Sequence, residues 1–108
     1  MMRMGSKTYL GMPTPHGIQA RIRQGASEEI LDLRLTLLKR TPEEWMDPNT
    51  GPTQLALAIL ADATGNEEYA LTWCEEFTRD ITSWLPLGEG WYLTSHDVLE
   101  WVQSHKTP

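Results

Sequence analysis

Gly51-Pro52-Thr53-Gln54-Leu55-Ala56-Leu57-Ala58-Ile59-Leu60-Ala61 decides how the rest of this chain must fold. Pro52 suits the start of a helix, where its missing N–H costs nothing, with Thr50 or Gly51 as the cap. Leu55 to Ala61 then places apolar side chains on every face. A helix that is apolar all round is covered on most sides, so the remaining chain must supply the covering layers. The repeated alanines let those layers approach closely. Thr64-Gly65 ends the helix, with Gly65 as the expected left-handed stop.

Working outward toward the C-terminus, Asn66 caps a second helix, and Glu67 and Glu68 suit the positive end of its dipole. Tyr69, Trp73, Phe77 and Ile81 recur every four residues, and Trp84 and Leu85 extend this apolar stripe until Pro86 closes the helix. The opposite side carries Glu68, Glu75, Glu76, Arg79 and Asp80. Two helices separated by so short a link form an antiparallel hairpin. Leu87-Gly88-Glu89-Gly90 is a turn, and Trp91-Tyr92-Leu93 is a candidate fourth strand. Thr94-Ser95-His96-Asp97 reads as a capping box, with Leu93 and Val98 as its hydrophobic staple. A short last helix carries Val98, Leu99, Trp101 and Val102, and 105–108 is expected to fray.

Toward the N-terminus the pattern changes. Lys7 to Met12 is a short strand candidate, and Pro13-Thr14-Pro15-His16-Gly17 is a turn. Ile18-Gln19-Ala20-Arg21-Ile22-Arg23 alternates apolar and polar, the signature of a half-buried strand with Ile18, Ala20 and Ile22 inward. Together they predict a β-hairpin. Ser27 to Leu38 reads two ways. Leu31-Asp32-Leu33-Arg34-Leu35 alternates as a strand, while Ser27-Glu28-Glu29 could cap a helix with Leu31, Leu35 and Leu38 on one face. Strict alternation favours the strand. Asp47-Pro48-Asn49-Thr50-Gly51-Pro52 is a loop. The expected fold is therefore α+β. A small antiparallel sheet of three to four strands, N-terminal, packs on a C-terminal helical hairpin and a short last helix.

The 108 residues make one domain, 1–108, with 1–6 frayed; a chain of this size buries roughly two thirds of its unfolded surface. Five tryptophans in so short a chain are expected to anchor the core. A lone cysteine, Cys74, cannot form an internal disulfide, and the flanking Glu75 and Glu76 oppose a reactive thiolate, so it reads as a packed thiol. A reducing cytoplasm is the expected setting. No apolar stretch is long enough to span a membrane, and the first residues do not form a signal peptide. His16, His96 and His105 fall in a turn, a cap and a tail, without metal-ligand spacing. Neither a cofactor, a metal nor a catalytic set is expected. Gly51-Pro52-Thr53 lacks the glycines and lysine of a phosphate loop.

Charge is uneven. Residues 1–50 sum to +1 and residues 51–108 to −7. An acidic second half disfavours direct nucleic-acid binding, which relies on Lys and Arg to displace counterions. It suits docking on a basic protein surface.

Several of these segments resemble those of a family of small uncharacterised prokaryotic and phage-borne proteins. The resemblance rests on Gly51-Pro52-x-Gln54-Leu55-Ala56-Leu57-Ala58-Ile59-Leu60, on Lys7-x-Tyr9-x-Gly11, on Leu31-Asp32-Leu33-Arg34 and on Gly90-Trp91-x-Leu93-Thr94. The chain departs at Glu43-Glu44-Trp45-Met46-Asp47-Pro48, where the family tends to an aromatic, glycine-rich run. The resemblance implies an N-terminal β region, supports a strand over 31–35, and suggests a phage setting. It implies no activity.

The functional expectation is a non-enzymatic protein-binding module, encoded by a phage or mobile element, that docks an acidic surface on a basic host protein. An inhibitor of host defence, such as an anti-CRISPR protein, is its most concrete form. Glu68, Glu75, Glu76 and Asp80 are the candidate partner-binding residues, with Trp45 as a candidate exposed anchor. A homo-oligomer is compatible with this reading. The alternative is a nucleic-acid-binding or accessory domain using Arg21, Arg23, Arg34, Lys39 and Arg40.

Overall fold

A computed structural model describes residues 7–15, 17–38, 50–86 and 89–105. It is an α+β fold. Strands β1 (Lys7–Thr14), β2 (Gly17–Gln24) and β3 (Ser27–Ile30) are followed by helices α1 (Gly51–Thr64) and α2 (Glu67–Asp80), then strand β4 (Trp91–Thr94) and helix α3 (Ser95–Ser104). The strands form one antiparallel sheet in the order β3-β2-β1-β4. The last strand in sequence is thus added to the edge of the first hairpin.

The register sorts the side chains onto two faces. Tyr9 lies opposite Ile22 and Leu93, and Gly11 opposite Ala20 and Trp91. All but Gly11 belong to one buried cluster with α1, so this face looks onto the helices. Leu10, Arg21, Tyr92 and Ile30 share a row on the other face, which no described helix covers. Gly11 has a steric reason to be glycine: a Cβ there would lie 2.1 Å from the Trp91 indole nitrogen.

α1 is the centre. Leu55, Leu57, Ile59 and Leu60 are all fully buried, and so are Ala56 and Ala58. Each large side chain removed from water contributes about 1.5–3 kcal/mol, so this one helix supplies much of the driving force. Gly65 ends it with φ +68°, its N–H donating to the Ala61 carbonyl at 2.9 Å. Thr50 occupies the cap position, but its side chain makes no capping bond to the first turn. Asn66 starts α2, its Oδ1 accepting from the Tyr69 N–H at 3.0 Å. Thr94 starts α3 in the same way, its hydroxyl oxygen accepting from the Asp97 N–H at 3.1 Å.

Three sequence expectations are corrected. Leu31–Leu35 is neither strand nor α-helix. The third strand ends at Ile30, and Leu35–Leu38 forms a 3₁₀ turn. Arg34 breaks the alternation with a left-handed φ of 51°, and the Asp32 carboxylate accepts its N–H at 2.9 Å. The leucines are still used apolar side inward: Leu31 is buried, and Leu33, Leu37 and Leu38 pack on the core edge. Second, α2 stops at Asp80 rather than running to 85. Ile81 leaves helical geometry and Thr82–Trp84 turns as a 3₁₀ segment, with the buried Thr82 hydroxyl donating to the Pro52 carbonyl at 2.8 Å. That bond ties the end of α2 to the start of α1. Third, the tryptophans do not act as a set. Trp91 and Trp101 are buried and Trp73 is half-buried, whereas Trp84 is 80% exposed. Tyr9, Phe77 and the α1 aliphatics make the centre instead. Trp45 lies outside the described residues. Cys74 is buried.

Candidate functional site

α2 carries most of the predicted contact residues, so its faces decide what the site can be. Successive residues turn by about 100° around a helix. A strict four-residue repeat therefore drifts by about 40° each step, and Tyr69, Trp73 and Phe77 do not form one straight seam. Ala70, Cys74 and Phe77 are the buried centre, with Tyr69 and Trp73 half-buried on one flank.

The same geometry divides the acids. Glu68, Glu75 and Arg79 lie within about 40° of one another on the outward ridge, and all three are exposed. Leu71, 42% exposed, and Thr72 lie between the two glutamates on that ridge. Glu76 and Asp80 fall on the Tyr69–Trp73 flank, beside α3. Asp80 is held by the fold: its Oδ2 accepts the Trp101 indole N–H at 2.9 Å and lies 3.6 Å from His105 Nε2. Glu67 is held too, in an ion pair with Arg34 at 3.0 Å. The acids of α2 are thus not one continuous field. Glu68 and Glu75 remain as outward charges around an exposed leucine.

Two features next to this ridge escape a reading of the sequence. Trp84 stands beyond the last turn of α2 and is fixed there, its indole N–H donating to the Arg79 carbonyl at 3.1 Å. The signal was present in Thr82-Ser83 and Pro86, poor helix residues that end α2 before position 84 could join the stripe. The second feature is a shallow concavity of about 580 Å³ along the N-terminal half of α2, lined by Asn66, Glu68, Tyr69, Leu71, Thr72 and Trp73. The Tyr69 hydroxyl is sheltered and has no hydrogen-bond partner among the described residues. Burial raises its pKa above the usual tyrosine value.

The described basic residues of the first half are tied down. Arg21 Nε and Arg23 Nε reach the two oxygens of Glu28 at 2.9 and 3.0 Å. Those bonds, Arg23's foremost, hold the Glu28 carboxyl below the usual range. Arg34 is spent on Glu67. Lys39 and Arg40 lie outside the described residues. Lys7 and Tyr9 converge on Asp62, the only charged residue of α1: the ammonium lies 3.0 Å and the phenol 2.7 Å from the same carboxylate oxygen. Burial first, then the Asp62 bond and charge, pushes Tyr9 far above its ordinary pKa. This cluster clamps β1 to α1.

Among the described residues, no group of three or more His, Cys, Asp or Glu side chains could hold a metal ion. None of the described helices is long and apolar enough to cross a membrane. No curated protein and no solved structure matches the chain. A family model described as a family of unknown function, DUF6166, matches residues 9–104. With that match covering nearly its whole length, the chain belongs to this family of unknown function.

Proposed function

We propose that this protein is a protein-binding module whose contact surface is the outward ridge of α2 together with Trp84. The observation that carries the reading is Trp84. An indole 80% exposed yet held by its own N–H offers a large apolar area at little ordering cost on binding. Tryptophan is enriched among residues that dominate interface energetics. Leu71 adds apolar area on the ridge, Glu68 and Glu75 add charge, and the −7 of residues 51–108 favours a basic partner surface.

The resemblance to phage-borne proteins suggests a host protein as that partner. An inhibitor of a host defence or nucleic-acid enzyme, of the anti-CRISPR kind, is the concrete form. The nucleic-acid alternative is weaker, because Arg21, Arg23 and Arg34 already neutralise carboxylates.

The test is capture from host lysate at low salt by wild type, Trp84→Ala and Glu68→Lys/Glu75→Lys. The expected result is a retained protein released by salt and lost in both variants. Retention unchanged in both variants overturns the reading. Asp80→Lys is a poor probe, since it also removes the acceptor of the Trp101 indole.

A further inference from the structure

The sheet has two edges, and they differ in chemistry. The β3 edge, Ser27-Glu28-Glu29-Ile30, is fully exposed and carries two carboxylates. Charge on an edge strand is a common defence against pairing with another chain. The β4 edge, Trp91-Tyr92-Leu93-Thr94, has no charged residue and no proline. No described strand lies on its far side.

The direction of its backbone groups follows from the ladder. The Lys7 N–H donates to the Ser95 hydroxyl at 3.1 Å, so odd-numbered residues of β1 turn their backbone toward β4. In an antiparallel pair, positions that exchange both bonds alternate with positions that exchange none. Tyr9–Leu93 and Gly11–Trp91 are therefore the bonded pairs. The N–H and C=O of Tyr92, and the N–H of Thr94, face away from the sheet. The other side of the sheet obeys the same alternation: the Leu31 N–H donates to the Ala20 carbonyl at 3.0 Å. That turns the even positions of β2 toward β3 and leaves Arg21 and Arg23 for β1.

We propose that β4 is a homodimer interface, in which two copies of this chain pair their β4 strands antiparallel about a two-fold axis at Tyr92 and join their sheets into one. A second copy is the occupant this edge fits. An uncharged strand meets its own copy without repulsion, although each chain carries −6 overall, while two copies of the β3 edge would set their Glu29 carboxylates together, Glu28 being paired with Arg21 and Arg23. The axis falls on an outward-bonding position, so the two Tyr92 backbones exchange N–H and C=O bonds. The Thr94 N–H then meets the Gly90 carbonyl of the second copy. Tyr92, 72% exposed, lines a shallow concavity of about 550 Å³ together with Thr8, Leu10, Met12, Gly90 and one charged residue, Arg23, which the second Tyr92 ring would cover. Four residues make a short seam, and interfaces below about 1,200 Å² belong to weak encounters. The dimer is therefore expected only at high protein concentration.

Sedimentation of the full chain at rising concentration tests this, with three variants. Wild type is expected to shift from monomer to dimer as concentration reaches the millimolar range. Tyr92→Pro removes an N–H that serves no bond within the sheet, a place where an edge strand tolerates proline. It should abolish the dimer while circular dichroism stays unchanged. Tyr92→Lys should do the same by charge repulsion, and decides the matter if the proline variant unfolds. Tyr92→Cys should give a disulfide-linked dimer on mild oxidation, since a bonded antiparallel pair sets its Cα atoms about 5.5 Å apart. A wild type that stays monomeric at millimolar concentration overturns the proposal and leaves the edge to an extended peptide. So does a dimer that survives Tyr92→Lys, or a Tyr92→Cys variant that mild oxidation fails to link.

Discussion

α1 and α2 are both fourteen residues long and are joined only by Gly65 and Asn66, yet they do opposite work. α1 buries nine residues, including Gln54, and its single charged side chain, Asp62, turns to Tyr9 and Lys7. α2 buries three and carries five acids and one arginine. The difference comes from what each helix must touch. α1 has the sheet on one side, α2 on another and α3 near its end, so almost any polar group there would lose water without a partner. Gln54 is the exception, and only half of its amide is satisfied: the nitrogen donates to the Leu33 and Arg34 carbonyls, holding the leucine segment over the helix, while Oε1 is buried with no partner among the described residues. α2 has one covered side, and the rest is free to vary with function. The most distinctive stretch of this sequence is thus distinctive for packing, and the proposed contact surface lies on its plainer neighbour.

The sharpest way to break that contrast is to truncate one leucine in each helix. Leu57 is fully buried and Leu71 is 42% exposed. Leu57→Ala removes buried methyl groups and leaves a cavity, so it should cost about 2–5 kcal/mol. Leu71→Ala should stay within about 0.5 kcal/mol. Urea denaturation followed by tryptophan fluorescence measures both. Similar losses in the two variants would mean that α1 is not the centre the burial makes it.

The next effect concerns Asp62 and its partners, and it carries a pH dependence with a definite sign. The folded-state pKa of Tyr9 is raised, by burial first and by Asp62 second. An unfolded tyrosine ionises near pH ~10. Below that value both states keep the proton and the stabilisation is complete. Above it the unfolded chain sheds a proton that the folded chain retains, so stability falls by up to about 1.4 kcal/mol per pH unit. Tyr9→Phe loses the bond to Asp62 and should cost about 1–2 kcal/mol at neutral pH. It should also make the alkaline decline shallower by about one proton. Tyr69 contributes a decline of its own in both proteins. An identical slope for wild type and Tyr9→Phe between about pH 9 and 11 would remove the phenol from the clamp.

How far the sequence reveals this contrast depends on the range of the forces involved. Local signals are legible: Gly65 as a left-handed stop, Asn66 and Thr94 as caps, and the alternation of Ile18, Ala20 and Ile22 all act within a few residues. The helix-hairpin-on-sheet layout follows because an all-apolar α1 demands cover. What sequence does not display is convergence over long separations. The Asp62 clamp joins residues more than fifty apart, and the Asp80–Trp101 bond joins two helices. Asp80 therefore looks like one more surface acid until α3 is placed beside it. The alternation at Leu31–Leu35 misleads for a related reason. A run of leucines spaced by polar residues satisfies any geometry that turns the leucines inward, and the positive φ at Arg34 chooses an irregular one. The proposed contact surface is legible only in part. The position of Glu68 and Glu75 on an outward ridge follows from helical spacing, while the exposure of Trp84 requires knowing that α2 ends at Asp80.

The smallest effects separate the two kinds of acid on α2. Asp80→Ala deprives the buried Trp101 indole of its acceptor. Asp80 is itself partly exposed, so water can reach the site, and the cost should be about 1 kcal/mol. The Trp101 indole N–H resonance should move as its bond is lost, a change that a merely solvated acid would not produce. Glu75→Lys, and the Glu68→Lys/Glu75→Lys pair, should stay within about 0.5 kcal/mol of wild type and leave that resonance in place. If the glutamate variants cost as much as Asp80→Ala, the outward ridge has a role within the fold, and any loss of capture in them would no longer report on a partner. If they cost nothing and still lose capture, stability is excluded as the cause, and the loss belongs to the surface that α1 holds in place.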